Sequence, residues 1–458
     1  MPSKEQLENA LRHRGALPAA ALRDALQISQ PTLSRLLVRT GRDVIRLGRG
    51  PASHYAMVRA TSHGAGSSWP LYSIGPQGKP HRVGLLHALQ NRQWALVQDE
   101  PWDALRGQEF PIGLYPDLPW FLADLRPQGF LGRAFARTHA RTLGLPPNPV
   151  SWTADDVVTA LLRYGHDLQG SFVIGEQMLM AVQDRVLNPP AAVPAADRAD
   201  AYPRLAEEAL RGEWPGSSAA GEQPKFITRI RDPDGAVRHV IVKFSGSSDR
   251  PEDQRWRDLL VAEHIAAVLL SGNGIPAAAT TLVESGGRVF LESTRFDRIG
   301  VNGRRAVVSL MALDAAFFGE IYTSWVAASQ RLLSARWLDT GDAGRLAELW
   351  WFGQLIANTD MHYGNASLFL DPSRPLSLTP AYDMLPMFYR PDVEGRLSEQ
   401  PYNPPPPLPE SMRPWRVAVE LAGCYWERIA SEPRISDQFR AIGRHNVEII
   451  AKYRRSFS

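Results

Sequence analysis

The chain has one cysteine, Cys424, among 458 residues, so no disulfide can form within it. That excludes a secreted disulfide scaffold, and nothing else suggests an oxidising compartment. Long apolar runs are also missing, since no window approaches the ~20 uninterrupted apolar residues of a membrane span. The opening MPSKEQLENALRHRG carries charges where a signal peptide has its apolar stretch. The expectation is a cytoplasmic protein without membrane contact. An excess of one charge is nearly absent as well: 51 Lys and Arg stand against 48 Asp and Glu, a net +3, so the whole is no polycation. What is present is 44% hydrophobic residues, enough for real cores, and a length that at ~150 residues per domain predicts two or three domains. Dense proline runs at 188–196 and 401–409 predict a linker and a long surface loop.

The small charge excess is concentrated. Residues 1–60 hold ten basic and four acidic residues, +6, which leaves −3 for the rest. Ser3 with Gln6 reads as a capping box for a helix that ends at Gly15, with Leu7 and Leu11 one turn apart. Pro18 opens a second helix carrying Leu22 and Leu26, and Ser29 with Pro31 opens a third whose stripe is Leu33, Leu36 and Leu37. Gln30, Thr32, Ser34, Arg35 and Arg39 are left on the outer face, groups suited to base edges and phosphates. Val44 to Leu47 and Ser53 to Met57 then predict a hairpin carrying Arg46 and Arg49. This order of elements resembles a winged helix-turn-helix with Gln30 to Arg39 as recognition helix, so double-stranded DNA is the expected partner. Winged helices often act in pairs on two-fold sites, which points to a homodimer. A small helical cap with a solvated basic face would share the charge but not the order of elements.

The C-terminal half carries a different chemistry. In FGQLIANTDMHYGNASLFL, Asp360 and Asn365 have the D-x-x-x-x-N spacing of a kinase catalytic loop. A carboxylate there accepts the proton of an attacking hydroxyl, and the amide oxygen holds Mg²⁺ on the phosphates. Asp and Asn are also ordinary turn residues, so the spacing alone is weak. A second acid, Asp383 in PAYDMLP, follows a short strand, as the second metal-binding Asp of kinases does. Upstream, KFITRIR and VRHVIVKF read as two strands joined by the turn DPDG. Lys243 ends VIVK, ordered like the kinase V-A-I-K, and a lysine in an apolar strand calls for a paired charge. Glu263 lies on the buried stripe of the helix opened by Pro251 and is the candidate partner. Residues 216–225, GSSAAGEQPK, match neither generic phosphate-loop motif, and a linker would share their composition.

Five ordered motifs, SAAGEQPK (218–225), VK (242–243), RFDR (295–298), T-D-x-H-x-x-N (359–365) and P-x-Y-D (380–383), resemble the HipA-type serine/threonine kinases of bacterial toxin–antitoxin systems. The N-terminal helix-turn-helix pattern and LADLRPQGFLGR (122–133) are similar to the YjjJ branch of that family. The resemblance implies an α+β, bilobed, protein-kinase-like fold preceded by a small winged helix-turn-helix domain. Its divisions would be 1–60 for DNA binding, 62–295 for the N-lobe with its HipA-type N-terminal subdomain, and 296–458 for a mainly helical C-lobe. It implies ATP and Mg²⁺ as cofactors, Asp360 as base, Asn365 and Asp383 as metal ligands, and Lys243 at the ATP phosphates; Glu263 is placed at ATP by its position on the helix stripe rather than by a motif. Thr294 to Phe296 resembles the hinge that receives adenine, with His362 and Tyr382 lining the site. Ser218 matches the autophosphorylated serine, in a regulatory loop with Gly221, Gln223 and Lys225. A protein substrate is implied, an aminoacyl-tRNA synthetase being the first candidate, in the bacterial cytosol or nucleoid. Two other readings share the motifs: a DNA-binding regulator whose kinase-like part senses nucleotide, and a small-molecule kinase.

Overall fold

The computed structural model describes residues 3–212, 223–320, 323–398 and 400–457. Its first unit is built from three helices, Lys4–Arg14, Ala19–Leu26 and Gln30–Thr40. Ser3 and Gln6 form the reciprocal cap, at 3.3 and 2.9 Å, and Gly15 ends the first helix with φ near +75°. Leu7, Leu11, Leu22, Leu33 and Leu36 are buried as one core. Strands Val44–Leu47 and His54–Met57 pair antiparallel, and Leu17–Pro18 adds a third on the far edge of the second. A second apolar cluster of Leu47, Ala56, Leu89 and Ala95 seats this unit on the region that follows.

That region is a five-stranded antiparallel sheet in the order Leu114–Tyr115, Trp94–Gln98, Pro80–Ala88, Ser68–Ile74 and Phe172–Ile174. Its aromatic core runs without a break into the C-terminal helices: Trp120 meets Trp337 edge-on at 6.0 Å and Phe317 at 5.2 Å.

A second five-stranded sheet has the order Thr280–Ser285, Arg288–Thr294, Val237–Phe244, Lys225–Arg231 and Val193–Pro194. The turn of DPDG closes as expected, with Asp232 N–H donating to the Ala236 carbonyl at 2.8 Å and Gly235 at φ +86°. The proline run at 188–196, expected to be only a linker, supplies the edge strand Val193–Pro194, parallel to Ile230–Arg231. Proline is tolerated there because an edge position leaves one side of the ladder unpaired. Tyr202, Phe226, Phe244 and Phe290 pack one face of this sheet. The helix Pro251–Gly272 opens on Pro251 with Glu252 and Asp253 in its first turn, the charges favoured at a helix N-terminus.

The C-terminal part is mainly helical, with Thr340–Leu355, Met412–Ser431 and Asp437–Phe457 the longest members. A small sheet of Val307–Ser309, Ser367–Phe369 and Ser377–Leu378 carries the loops that bear Asp360 and Asp383. The fold is thus mixed α/β. Among the described residues, no helix is long and apolar enough to cross a membrane.

Candidate active site

Lys243 and Glu263 meet as the strand and helix patterns require. Val240, Val242 and Phe244 alternate onto the packed face of their strand, which turns Lys243 to the other face, where it is 6% exposed. Its Nζ donates to Glu263 Oε1 at 2.6 Å and Oε2 at 2.8 Å, and to Asp383 Oδ1 at 2.5 Å. Burial opposes the ammonium, but Asp383 and Glu263 outweigh it and hold Lys243 above the usual lysine range. Burial likewise opposes the Asp383 carboxylate; Lys243 and then Lys225 overcome it and hold the group below its ordinary value. Asp383 itself has φ +55°, a left-handed conformation that Asp tolerates better than most residues.

The loop between helix Thr340–Leu355 and strand Ser367–Phe369 is held by its own amides. Asn358, 1% exposed, accepts from Asp360 N–H at 3.0 Å and donates to the Asp383 carbonyl at 3.2 Å, so one buried side chain ties both acidic loops together. Asn365 Nδ2 donates to the Asp360 carbonyl at 2.8 Å, while its Oδ1 makes no hydrogen bond among the described residues. The Asp360 carboxylate is 44% exposed and 3.8 Å from His362 Nε2. Tyr382 hydroxyl donates to the Gly364 carbonyl at 3.0 Å and lies 2.7 Å from Ser367 Oγ. Asn358 escaped the sequence reading; the signal was a lone amide closing an apolar helix two residues before the acid.

These groups border a cavity of about 410 Å³, a size that suits a small organic ligand. Lys225, Lys243, Asp383, Asn365 and His362 supply part of its polar lining, and Ile227, Ile241, Val307 and Met311 much of its apolar lining. Thr294, Phe296 and Tyr382 also line it, with the Phe296 and Tyr382 rings 5.8 Å apart. Glu263, expected at ATP, does not line this cavity; it reaches it only through Lys243, because its helix packs behind the strand. Asp360 is likewise outside the lining, next to His362. Gln223 and Lys225 precede and open the first strand, whereas Ser218 and Gly221 lie outside the described residues. The middle region adds Asp124, Gln128 and Gln169; Asp124 and Gln128 lie in LADLRPQGFLGR but sequence reading gave none of the three a role, because short helical turns and loops carry no periodicity to mark them. Asp124 accepts from Ser309 N–H at 2.6 Å and from its hydroxyl at 2.7 Å, and burial pushes the carboxyl up.

The basic residues of the first unit form a separate surface. Gln30, Ser34, Arg35 and Arg39 are exposed on one helix, and Arg46 and Arg49 on the hairpin; Thr32 is half-buried, 3.1 Å from Ser29 Oγ. Arg46 Nε donates to Ser53 Oγ at 2.9 Å.

Residues 65–183 match the family model described as YjjJ-like toxin, middle domain, and residues 217–427 the one described as HipA-like C-terminal domain. Toxin YjjJ of Escherichia coli (strain K12) is 38% identical over 445 residues, 95% of either chain. HipA of Shewanella oneidensis MR-1, solved in a complex with HipB and its operator DNA, superposes with a TM-score of 0.52 at 15% identity, covering 85% of this chain and 97% of that one. That likeness shows the fold. With the identity to the Escherichia coli toxin, it follows that the chain belongs to the HipA-like toxins of the YjjJ type.

Proposed function

We propose that this chain is an ATP- and Mg²⁺-dependent protein serine/threonine kinase that carries its own DNA-binding unit. The observation behind the reading is the convergence of Lys243, Asp383 and Asn365 on one cavity, with Asp360 next to it. Lys243 holds phosphate oxygens, and Glu263 keeps that lysine in place and charged. Thr294 to Phe296 faces adenine, with His362 and Tyr382 bordering the nucleotide. Asp360 orients the attacking hydroxyl and accepts its proton as the new P–O bond forms and ADP departs.

The donors present fit a magnesium ion: an amide oxygen on Asn365 that no other group among the described residues uses, and the Asp383 carboxylate kept ionised by its lysine neighbours. Among the described residues no cluster of three or more His, Cys, Asp or Glu could cage a metal, which suits an ion shared with substrate phosphates. Bound there, Mg²⁺ would neutralise charge on the transferring phosphoryl group.

Ser218 is the proposed autophosphorylation site, in a regulatory loop with Gly221, Gln223 and Lys225. Incubation with labelled ATP and Mg²⁺ should label the wild type at Ser218 or on a protein substrate. Equal labelling of Asp360→Asn would refute the assignment. Transfer to aminoglycosides or sugars, with no protein labelled, would instead make it a small-molecule kinase.

A DNA role for the first unit rests on its exposed basic face, read as a winged helix-turn-helix. Val38, 82% exposed between Arg35 and Arg39, adds an apolar group of the kind that contacts thymine methyls. In the Shewanella complex HipA is accompanied by HipB on operator DNA; here the DNA contact would be made in cis.

A further inference from the structure

A second cavity, of about 50 Å³, shares no lining residue with the first. Lys225, Ile227 and Arg229 alternate onto one face of their strand, so this cavity lies further along the same sheet face. Four arginines line it, Arg185, Arg229, Arg298 and Arg304, against one acid, Asp167. Both Asp167 oxygens are already engaged, Oδ2 by Arg185 at 2.9 Å and Oδ1 by Arg298 at 3.0 Å. Arg298 also donates to Asp297 at 2.8 Å, and Asp297 is shared with Arg295. Arg229 and Arg304 form no ion pair among the described residues: each donates only to a carbonyl, Pro190 at 3.0 Å and His166 at 2.7 Å. Arg229 Nε is buried without a partner among the described residues.

The cluster therefore holds five guanidinium groups against two carboxylates in a largely buried setting. Uncompensated charge of one sign is expensive to bury. Burial first and then Arg298 push Arg304 down to about 9, the response of a buried cation beside a like charge. We infer that the small cavity binds an oxyanion of the phosphate class, held by Arg229 and Arg304 with Arg185 and Arg298 beside them. Guanidinium groups match such oxygens in pairs. The volume is far below the roughly 300–1,000 Å³ of sites that take a whole small molecule, so it admits a free ion or one phosphoryl end group.

Occupancy would join three elements: helix Glu176–Leu187 through Arg185, strand Lys225–Arg231 through Arg229, and the paired strands Arg298–Ile299 and Gly303–Arg304. Arg298 passes the contact to Asp297 and Arg295, which both line the large cavity. The anion and the large cavity's ligand would then favour each other reciprocally.

The test is thermal unfolding of the full chain in inorganic phosphate, in O-phosphoserine and in chloride, at one ionic strength. Phosphate should raise Tm saturably, and both Arg229→Gln and the half-exposed Arg185→Gln should weaken that response at least tenfold, while the exposed Arg416→Gln leaves it intact. A stronger response to O-phosphoserine would make a phosphorylated side chain the source of the anion; a stronger response to phosphate, the free ion. An equal shift in chloride overturns the inference, as does a phosphate response unchanged in both Arg229→Gln and Arg185→Gln, which would move the anion to the large cavity.

Discussion

Lys243 is the residue on which the site depends electrostatically, because two acids share its single ammonium in a buried setting. Removing one partner of a buried ion pair typically destabilises by roughly 3–5 kcal/mol, since the remaining charge stays buried and unpaired. Lys243→Met should therefore lower the unfolding free energy by about that amount in urea titration. Asp360→Asn, on a half-exposed carboxylate, should stay within about 0.5 kcal/mol of wild type. Both should lose phosphoryl transfer, so stability separates the two roles where activity does not. His87 makes stability depend on pH. It is 5% exposed, 2.7 Å from Ser68 Oγ, and burial pushes it down to about 4. Between that value and an unfolded value of about 6.5 the unfolded chain binds the extra proton, so stability falls as pH falls through this window. The expected loss between pH 7 and pH 5 is about 2 kcal/mol from this residue. Urea unfolding at the two pH values should show it, and His87→Gln should remove that part of the difference.

Elements whose periodicity and punctuation agree were legible before the structure. The strands Lys225–Arg231 and Val237–Phe244 have the bounds read from alternation around DPDG, and Glu263 faces Lys243 as its place on the apolar stripe requires. Contributions that depend on strand order or on loop packing were not legible. Asp124 reaches Ser309 across 185 residues of sequence, Gln169 enters the same cavity from the middle region, and the ion cluster of Asp167, Arg298 and Arg304 joins segments that no local pattern links. Helix Gln30–Thr40 belongs to the legible class, with Leu33 and Leu36 inward and Arg35 and Arg39 outward. Arg35 Nε folds back onto the Pro31 carbonyl at 3.3 Å, whereas among the described residues no hydrogen bond holds the Arg39 side chain. If these arginines meet phosphates, each Ala substitution should reduce the slope of log K against log salt by about 1. Electrophoretic mobility shifts at several salt concentrations measure this, and an unchanged slope would leave the helix without a phosphate contact.

At the scale of the whole molecule, charge and packing divide the chain differently. Net charge separates +6 on residues 1–60 from −3 on the rest. Packing joins them, because Leu47 and Ala56 of the first unit are buried with Leu89 and Ala95 of the next. The Leu core of the helices and the aromatic core around the cavity nevertheless remain distinct clusters, and the proposed DNA face and the cavity share no residue. Substitutions on exposed side chains of either surface should therefore leave the other intact, because surface changes remote from one another act additively. The double variant Arg35→Ala, Arg39→Ala should lose DNA affinity while transferring phosphate from labelled ATP at the wild-type rate. Asp360→Asn should do the reverse, retaining wild-type affinity and salt slope with no transfer. Loss of transfer in the arginine variant would mean that the proposed DNA face and the large cavity communicate across the Leu47–Ala95 junction, and comparing transfer rates with and without DNA would then measure that coupling directly.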